Sequence, residues 1–383
     1  VNAKPATRPA RPHFSSGPCA KPPGWSPSKL ATGSLGRSHR SRLGKARLGH
    51  AIELTRHLLR VPSSHRIGIV PASDTGAVEM ALWGMLGPRP VTMLAWESFG
   101  EGWITDVARQ LRLDATVMRA PYGELPDLAA VDWGSDVVFT WNGTTSGVRV
   151  PDGDWIAADR EGLAICDATS AAFAVDLPWD KLHVATYSWQ KVLGGEGGHG
   201  ILILSERAVE RLESHVSAWP LPKIFRLTKS GKLIEGIFRG ETINTPSMLA
   251  VEDYIWALEW AEAQGGLGAL IARADANAAA LGAWVEATPW AEHLARDPAT
   301  RSNTSVCLTF APDAVGGLDE EARGTLAKRI ATLPEAENPA YDAAAYRDAP
   351  PGLRIWCGAT VETDDIEALG PWLDWAFHEA IEG

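Results

Sequence analysis

From residue 66 onward the chain repeats one arrangement, a short apolar run followed by a longer amphipathic stretch. Apolar runs at 67–71, 91–96, 136–141, 163–167, 184–188 and 200–204 predict strands. Amphipathic stretches at 51–60, 75–86, 102–113 and 207–215 predict helices. Strands alternating with helices at this spacing specify a mostly parallel sheet with helices on both faces, an α/β fold. The pattern changes after a helical stretch at 247–264, which follows Asn244-Thr245-Pro246. Gly265-Gly266 then reads as a hinge. Beyond it come a helix at 267–287, a strand at 305–310, a helix at 318–333, a strand at 353–359 and a helix at 364–381, a smaller α+β domain. The expected division is an N-terminal arm (1–15), a large domain (16–265) and a small C-terminal domain (266–383).

Charge is unevenly spread. The first 52 residues hold ten Lys or Arg and no acid, so a total of −11 leaves −21 on the rest. An acidic body argues against nucleic acid as a partner. The prolines at 5, 9 and 12 make the first 12 residues read as a flexible tail. Pro22, Pro23 and Pro27 then break any long amphipathic helix of the transit-peptide kind. No run of 18 apolar residues exists, so no membrane partner is expected. Cys19, Cys166, Cys307 and Cys357 are widely spaced with no CxxC pair, which points to a reducing, cytoplasmic setting without structural disulfides. No HExxH or P-loop occurs among the residues, and no metal is expected.

The stretch 187–195, Tyr-Ser-Trp-Gln-Lys-Val-Leu-Gly-Gly, places Lys191 directly after an apolar strand and before a glycine-rich loop. At a strand's carboxyl end in an open α/β sheet, a lysine can be partly desolvated at the ligand crevice. Desolvation lowers its pKa, and a neutral amine can form a Schiff base. Asp167 ends the apolar run before it, in Cys166-Asp167-Ala168-Thr169-Ser170. An aspartate there could hold a pyridinium nitrogen protonated, although a turn or capping role is the plainer reading of such a residue. Between the first strand and its helix lies Pro71-Ala72-Ser73-Asp74-Thr75-Gly76, small residues whose amides could bind phosphate. Trp103 could stack on a flat ring, or simply pack the core.

Two rival motifs are weaker. Gly195-Glu196-Gly197-Gly198-His199-Gly200 fits GxGxxG but precedes a strand instead of following one. Ser188-Trp189-Gln190-Lys191 fits the SxxK of serine acyl-transfer enzymes, yet glycines follow where a helix should begin, and no SxN lies between it and Lys229-Ser230-Gly231.

Taken together, Phe14-Ser15-Ser16-Gly17-Pro18, Ser38-His39-Arg40-Ser41, Trp103, Asn142-Gly143-Thr144, Asp167-Ala168-Thr169-Ser170, Gln190-Lys191, Asn244-Thr245-Pro246 and Arg354 stand in the order found in one known group. On these residues the chain resembles the phosphoserine aminotransferase family, class V of the fold-type I enzymes that use pyridoxal 5'-phosphate (PLP). The resemblance spans about residues 13–360. It implies reversible transfer of an amino group between L-glutamate and 3-phosphohydroxypyruvate, in the service of serine biosynthesis. Lys191 would carry the Schiff base and Asp167 would pair with the pyridine nitrogen. Trp103 would stack on the ring and Thr144 would touch its phenolic side. Asp74, Thr75, Thr169 and Gln190 would hold the phosphate, joined by Asn244 and Thr245 from the other subunit of a homodimer with shared active sites. Ser16, His39 and Arg40 would line the substrate site, and Arg354 would clamp the α-carboxylate. The family's better-known branch has an arginine in a glycine-rich phosphate loop, and Ala72-Ser73-Asp74-Thr75 lacks it. Arg42, Arg347, Lys223 or Arg226 would have to supply that cation, Arg347 first. A serine–glyoxylate type of aminotransferase is the nearest alternative. A cysteine desulfurase, an SxxK hydrolase and a PLP-fold binding module are weaker ones.

Overall fold

The computed structural model describes residues 3–382. Seven strands form one sheet: β1 (Arg66–Pro71), β2 (Val91–Ala95), β3 (Ala115–Arg119), β4 (Asp136–Thr140), β5 (Ala164–Asp167), β6 (Val184–Ser188) and β7 (His199–Leu204). Their order is β1-β7-β6-β5-β4-β2-β3. The pairs β2–β3, β2–β4, β4–β5 and β5–β6 are parallel, and β7 alone runs against its neighbours β6 and β1. The six apolar runs read from the sequence are all strands. The seventh, β3, is an edge strand with no buried residue, so it lacks the apolar run that marks the others.

Helices α1 (Arg42–Leu59), α2 (Ser73–Met85), α3 (Ser98–Thr105), α4 (Glu206–Ser214) and α5 (Met248–Ala263) accompany this sheet. Two of them begin earlier than their apolar periodicity indicates, and caps explain both. Ser41 Oγ accepts from Gly44 N at 3.1 Å and starts α1. Glu97 accepts from Gly100 N at 2.8 Å and starts α3. The single helix expected over 102–113 is instead α3 followed by a π-helical turn, Asp106–Gln110.

After Gly265 and Gly266, both at positive φ, comes α6 (Leu267–Ala287). Strands β8 (Ala291–His293), β9 (Ser305–Phe310) and β10 (Leu353–Trp356) form a separate antiparallel sheet, and both α6 and α7 (Glu320–Glu337) pack against α8 (Thr363–Glu382). Among the described residues no helix is long and apolar enough to cross a membrane.

The N-terminal segment corrects the expectation of a flexible tail. Thr7 O accepts from Trp372 Nε1 at 2.8 Å, Ala10 N donates to Asp365 at 2.6 Å, and Lys4 pairs with Glu337 at 2.7 Å. Lys4 and Arg8 also lie over the rings of Trp375 and Trp372. The prolines keep this stretch extended, and the basic side chains find acidic and aromatic partners on α7 and α8. The chain then passes from β10, where Phe14 O accepts from Trp356 N, to the glycine-rich loop, where Cys19 N donates to Gln190 O at 2.9 Å.

Candidate active site

Parallel strands converge their carboxyl ends on one edge of the sheet, and loops leaving that edge form the ligand crevice of such folds. Pro71, Ala95, Thr140, Asp167 and Ser188 are the last residues of β1, β2, β4, β5 and β6. A cavity of about 510 Å³ opens there. Its walls include Asp74, Thr75, Trp103, Thr144, Asp167, Thr169, Gln190 and Lys191, eight of the ten residues expected to hold a cofactor. Ser73, Phe99, Thr140 and Ser188 also line it; Ser73 was named only within the phosphate turn and Ser188 only in the SxxK motif, and Phe99 and Thr140 were not singled out from the sequence. Short hydroxyl residues at strand ends carry no distinguishing pattern, so only the topology reveals them.

Lys191 Nζ donates to Ser16 O at 2.5 Å. Burial pushes its pKa down; Cys19 opposes this and the nearby Arg354 charge adds to it. Gly17 lies so close that a β-carbon there would strike the Lys191 side chain, so the glycine makes room for the amine. Asp167 is buried, accepting from Thr169 N at 3.0 Å and from Trp103 Nε1 at 3.1 Å. The indole is therefore anchored to the aspartate through its N–H while its ring lines the cavity.

The turn into α2 places Ala72 (φ 66°) and Ser73 (φ 54°) in the left-handed region, a costly conformation for residues with a β-carbon. Ser188 Oγ accepts from Asp74 N at 3.2 Å, and Gly76 N donates to Ala72 O at 3.0 Å. Ser73 and Thr75 keep first-turn amides that the helix cannot bond internally. The rival motifs dissolve in this packing. Ser188 closes a strand and supports the α2 turn, and Gly200 permits the close approach of Ser73 O.

A second shelf of hydroxyls ties the cavity to the small sheet. Thr144 Oγ1 and Ser170 Oγ lie 2.8 Å apart, Asn142 Nδ2 donates to Ser170 Oγ at 2.8 Å and to Thr304 Oγ1 at 2.9 Å, and Ser305 Oγ donates to Thr144 O at 2.6 Å. Glu97, fully buried, accepts from Gly100 N and from Thr145 Oγ1 at 2.8 Å, joining α3 to the Thr144 loop. Burial pushes its pKa up to about 7, against the pull of those donors. A carboxyl with a raised native pKa binds its proton more tightly when folded. Its contribution to stability is present below its unfolded value and is lost as pH rises through the native one. Wild-type unfolding free energy should thus fall by up to about 3 kcal/mol between pH 4.5 and about 7 through this group. Urea melts across that window should show Glu97→Gln with a flatter profile; an unchanged slope would remove the assignment.

The other expected residues lie outside the cavity. Ser16 reaches it only through its carbonyl, on Lys191. His39 and Arg40 line a second recess of about 450 Å³ with Lys45, Gly240, Glu241 and Thr242. Asn244 is half-buried and Thr245 exposed, adjoining that recess, where Thr242 Oγ1 donates to Asn244 O at 2.6 Å. Arg42, Lys223 and Arg226 are exposed, and Arg347 is exposed beside Asp348 at 3.4 Å. Arg354, on β10, packs its guanidinium over the Tyr346 ring at 5.6 Å and leaves Nε without a partner. Tyr346 in turn meets Phe99 of the cavity wall at 5.7 Å.

The residues present fit PLP. Thr169 Oγ1, Gln190 Oε1 and Thr140 Oγ1 are buried around the cavity with no hydrogen-bond partner, as groups awaiting a polar ligand would be. An amine, an aspartate and two free amides complete the set that a pyridine ring bearing an aldehyde and a phosphate requires.

No family model matches the chain. It is 58% identical to the phosphoserine aminotransferase of Methanosarcina barkeri over 376 residues, covering 98% of this chain and 99% of that protein. It is equally similar to that of Methanosarcina mazei, 58% over 375 residues with the same coverage. Among solved structures it resembles a phosphoserine aminotransferase from Cytophaga hutchinsonii, with a TM-score of 0.82, 19% identity and coverage of 95% and 98% of the two chains. It also resembles a pyridoxamine–pyruvate aminotransferase from Mesorhizobium loti, with a TM-score of 0.79, 20% identity and coverage of 97% and 93%. At these identities the structures speak for the fold alone, the fold-type I architecture.

Proposed function

The chain belongs to the phosphoserine aminotransferase family, and from that premise we propose that it transfers the amino group of L-glutamate to 3-phosphohydroxypyruvate, giving O-phospho-L-serine and 2-oxoglutarate. The observation that carries this reading is the single cavity in which a desolvated lysine, a buried aspartate and a turn of free amides face one another. PLP, when bound, supplies a ring that accepts the electrons released at the substrate's α-carbon.

The chain's own groups do the rest. Lys191 Nζ is the amine that holds the cofactor, and then the base that takes the proton from the α-carbon and returns it across the transfer. Its lowered pKa keeps a fraction of it neutral for that work. Asp167 holds the proton on the ring nitrogen, and its two donors, Thr169 N and Trp103 Nε1, hold its carboxyl in place. Thr169, Gln190 and the Ser73 and Thr75 amides take the phosphate. Arg354 takes the substrate's α-carboxylate, for which its planar fork is suited. Residues 16–265 form the cofactor half and 266–383 the half that closes over it, with Ser305 and Tyr346 as points of contact.

The enzyme works as a homodimer in the cytoplasm, feeding serine synthesis. Four unpaired cysteines favour the reducing compartment. Support for the dimer comes from the grouping of His39, Arg40, Lys45, Asn244 and Thr245 on one surface away from their own chain's cavity. Basic groups that bind a phosphorylated substrate are of use only beside a Lys191, and the partner subunit provides one. Mixing tests this. A Lys191→Ala chain and an Asn244→Ala/Thr245→Ala chain, each nearly inactive alone, should recover about a quarter of wild-type activity on co-refolding, because half the dimers are mixed and each has one intact site. Activity that stays at the sum of the two parents would contradict shared sites.

A further inference from the structure

Two aspartates face this cavity. Asp74, in the first turn of α2, and Asp167, at the end of β5, are each 6% exposed and both line it. They approach within reach of a shared hydrogen bond. Their surroundings differ. Asp167 receives one donor on each oxygen, Thr169 N on Oδ1 and Trp103 Nε1 on Oδ2. Asp74 Oδ1 receives none, although it is buried. Two carboxylates this close and this dry do not both ionise, and the proton belongs to Asp74, whose Oδ1 lacks the N–H donors that Asp167 has and whose neighbouring Thr169 and Thr186 hydroxyls can accept as well as donate. Burial first, then the charge of Asp167, push the Asp74 carboxyl well above the usual range, in agreement with that geometry.

Position sharpens the point. Asp74 lies beside Ser73 and Thr75, the residues whose amides are placed to take an anion, and near the Thr169 and Thr186 hydroxyls. A second negative charge there would oppose any phosphate bound at the helix N-terminus. The other titratable or charged groups around it are Cys166 on β5 and Lys191 after β6; Arg211 of α4 sits at the far end of α2, on the Met85 carbonyl. None of these is an acid that would be ionised near neutrality; the one acid that is, Glu97, raised to about 7, faces Asp167 from the start of α3.

We propose that Asp74 is a positioning residue that stays a neutral carboxylic acid and donates its proton to Asp167, so that the pair presents one negative charge to the ring nitrogen and none to the phosphate. This rests on Asp167 being the partner of that nitrogen. The hydrogen bond keeps Asp167 fixed under the ring. Ionisation of Asp74 at alkaline pH doubles the charge of the pair, so the ring nitrogen holds its proton more firmly and the phosphate is held less firmly.

Infrared difference spectra of the cofactor-free protein, wild type minus Asp74→Asn at neutral pH, read the proton directly. A carboxylic-acid C=O band present in the wild type and lost in the variant is the expected result. A difference containing only carboxylate bands overturns the proposal. Asp74→Ser removes the same group with less bulk and should lose the same band, should the Asn variant fold poorly. The PLP-loaded proteins give the second readout. On titration to alkaline pH the visible spectrum of the wild type should show a transition that Asp74→Asn, neutral at every pH, lacks; superimposable titrations overturn the link to the ring nitrogen. A protein that shows the infrared band yet takes up no PLP overturns the cofactor reading and leaves the carboxyl pair standing.

Discussion

Lys191→Ala should lower turnover by at least about 10⁴-fold, the upper range for a positioned acid–base group, because the same nitrogen also holds the cofactor. The geometry leaves no substitute. Lys191 is the sole amine lining the cavity among the described residues, and its Nζ sits on Ser16 O beside Gly17. Loss of folding would not explain the effect. The amine is a desolvated group whose one hydrogen bond runs to a backbone carbonyl, so its removal should leave thermal stability close to that of the wild type. The Ala variant should bind PLP without the visible band of the lysine-bound form, and steady-state rates should stay at background with every amino donor. Wild-type turnover in this variant would place the chemistry on another residue.

The second large effect belongs to Asp167. Asp167→Ala leaves Trp103 Nε1 and Thr169 N without an acceptor and removes the charge under the ring nitrogen. Breaking a buried charge pair of this kind costs about 3–5 kcal/mol, or roughly 10²- to 10⁴-fold in rate. Asp167→Asn separates the two roles. It keeps the shape and one acceptor oxygen for the indole but carries no charge. If charge at the ring nitrogen is what matters, both variants lose activity to a similar extent while Asn retains more thermal stability than Ala. A fully active Asn variant would reduce Asp167 to an anchor for Trp103.

Much of this was legible in the sequence because the parallel sheet is buried on both faces. Its central strands are unbroken apolar runs, and such runs announce their own ends. Lys191 and Asp167 could be singled out because each sits where a run stops. The edge strand at 115–119 has no buried residue and left no such mark. Glu97 looked like any polar residue between a strand and a helix; its burial depends on Thr145, which the fold brings to it from far along the chain. Asp74 read only as one of the turn residues whose amides could take a phosphate. Only the meeting of α2 with β5 gives it a carboxylate neighbour. The N-terminal stretch misled for the opposite reason. Proline and charge mimic a flexible tail, yet here they lie along Trp372, Trp375, Glu337 and Asp365, partners that no local pattern predicts.

The most direct test of the account is the visible absorption spectrum of the PLP-loaded protein, recorded before and after L-glutamate and, separately, O-phospho-L-serine. The account predicts that both donors bleach the yellow band toward the near-ultraviolet absorption of the aminated cofactor, and that 2-oxoglutarate restores it. A band that responds to neither donor, or a protein that stays colourless after incubation with PLP, would contradict it.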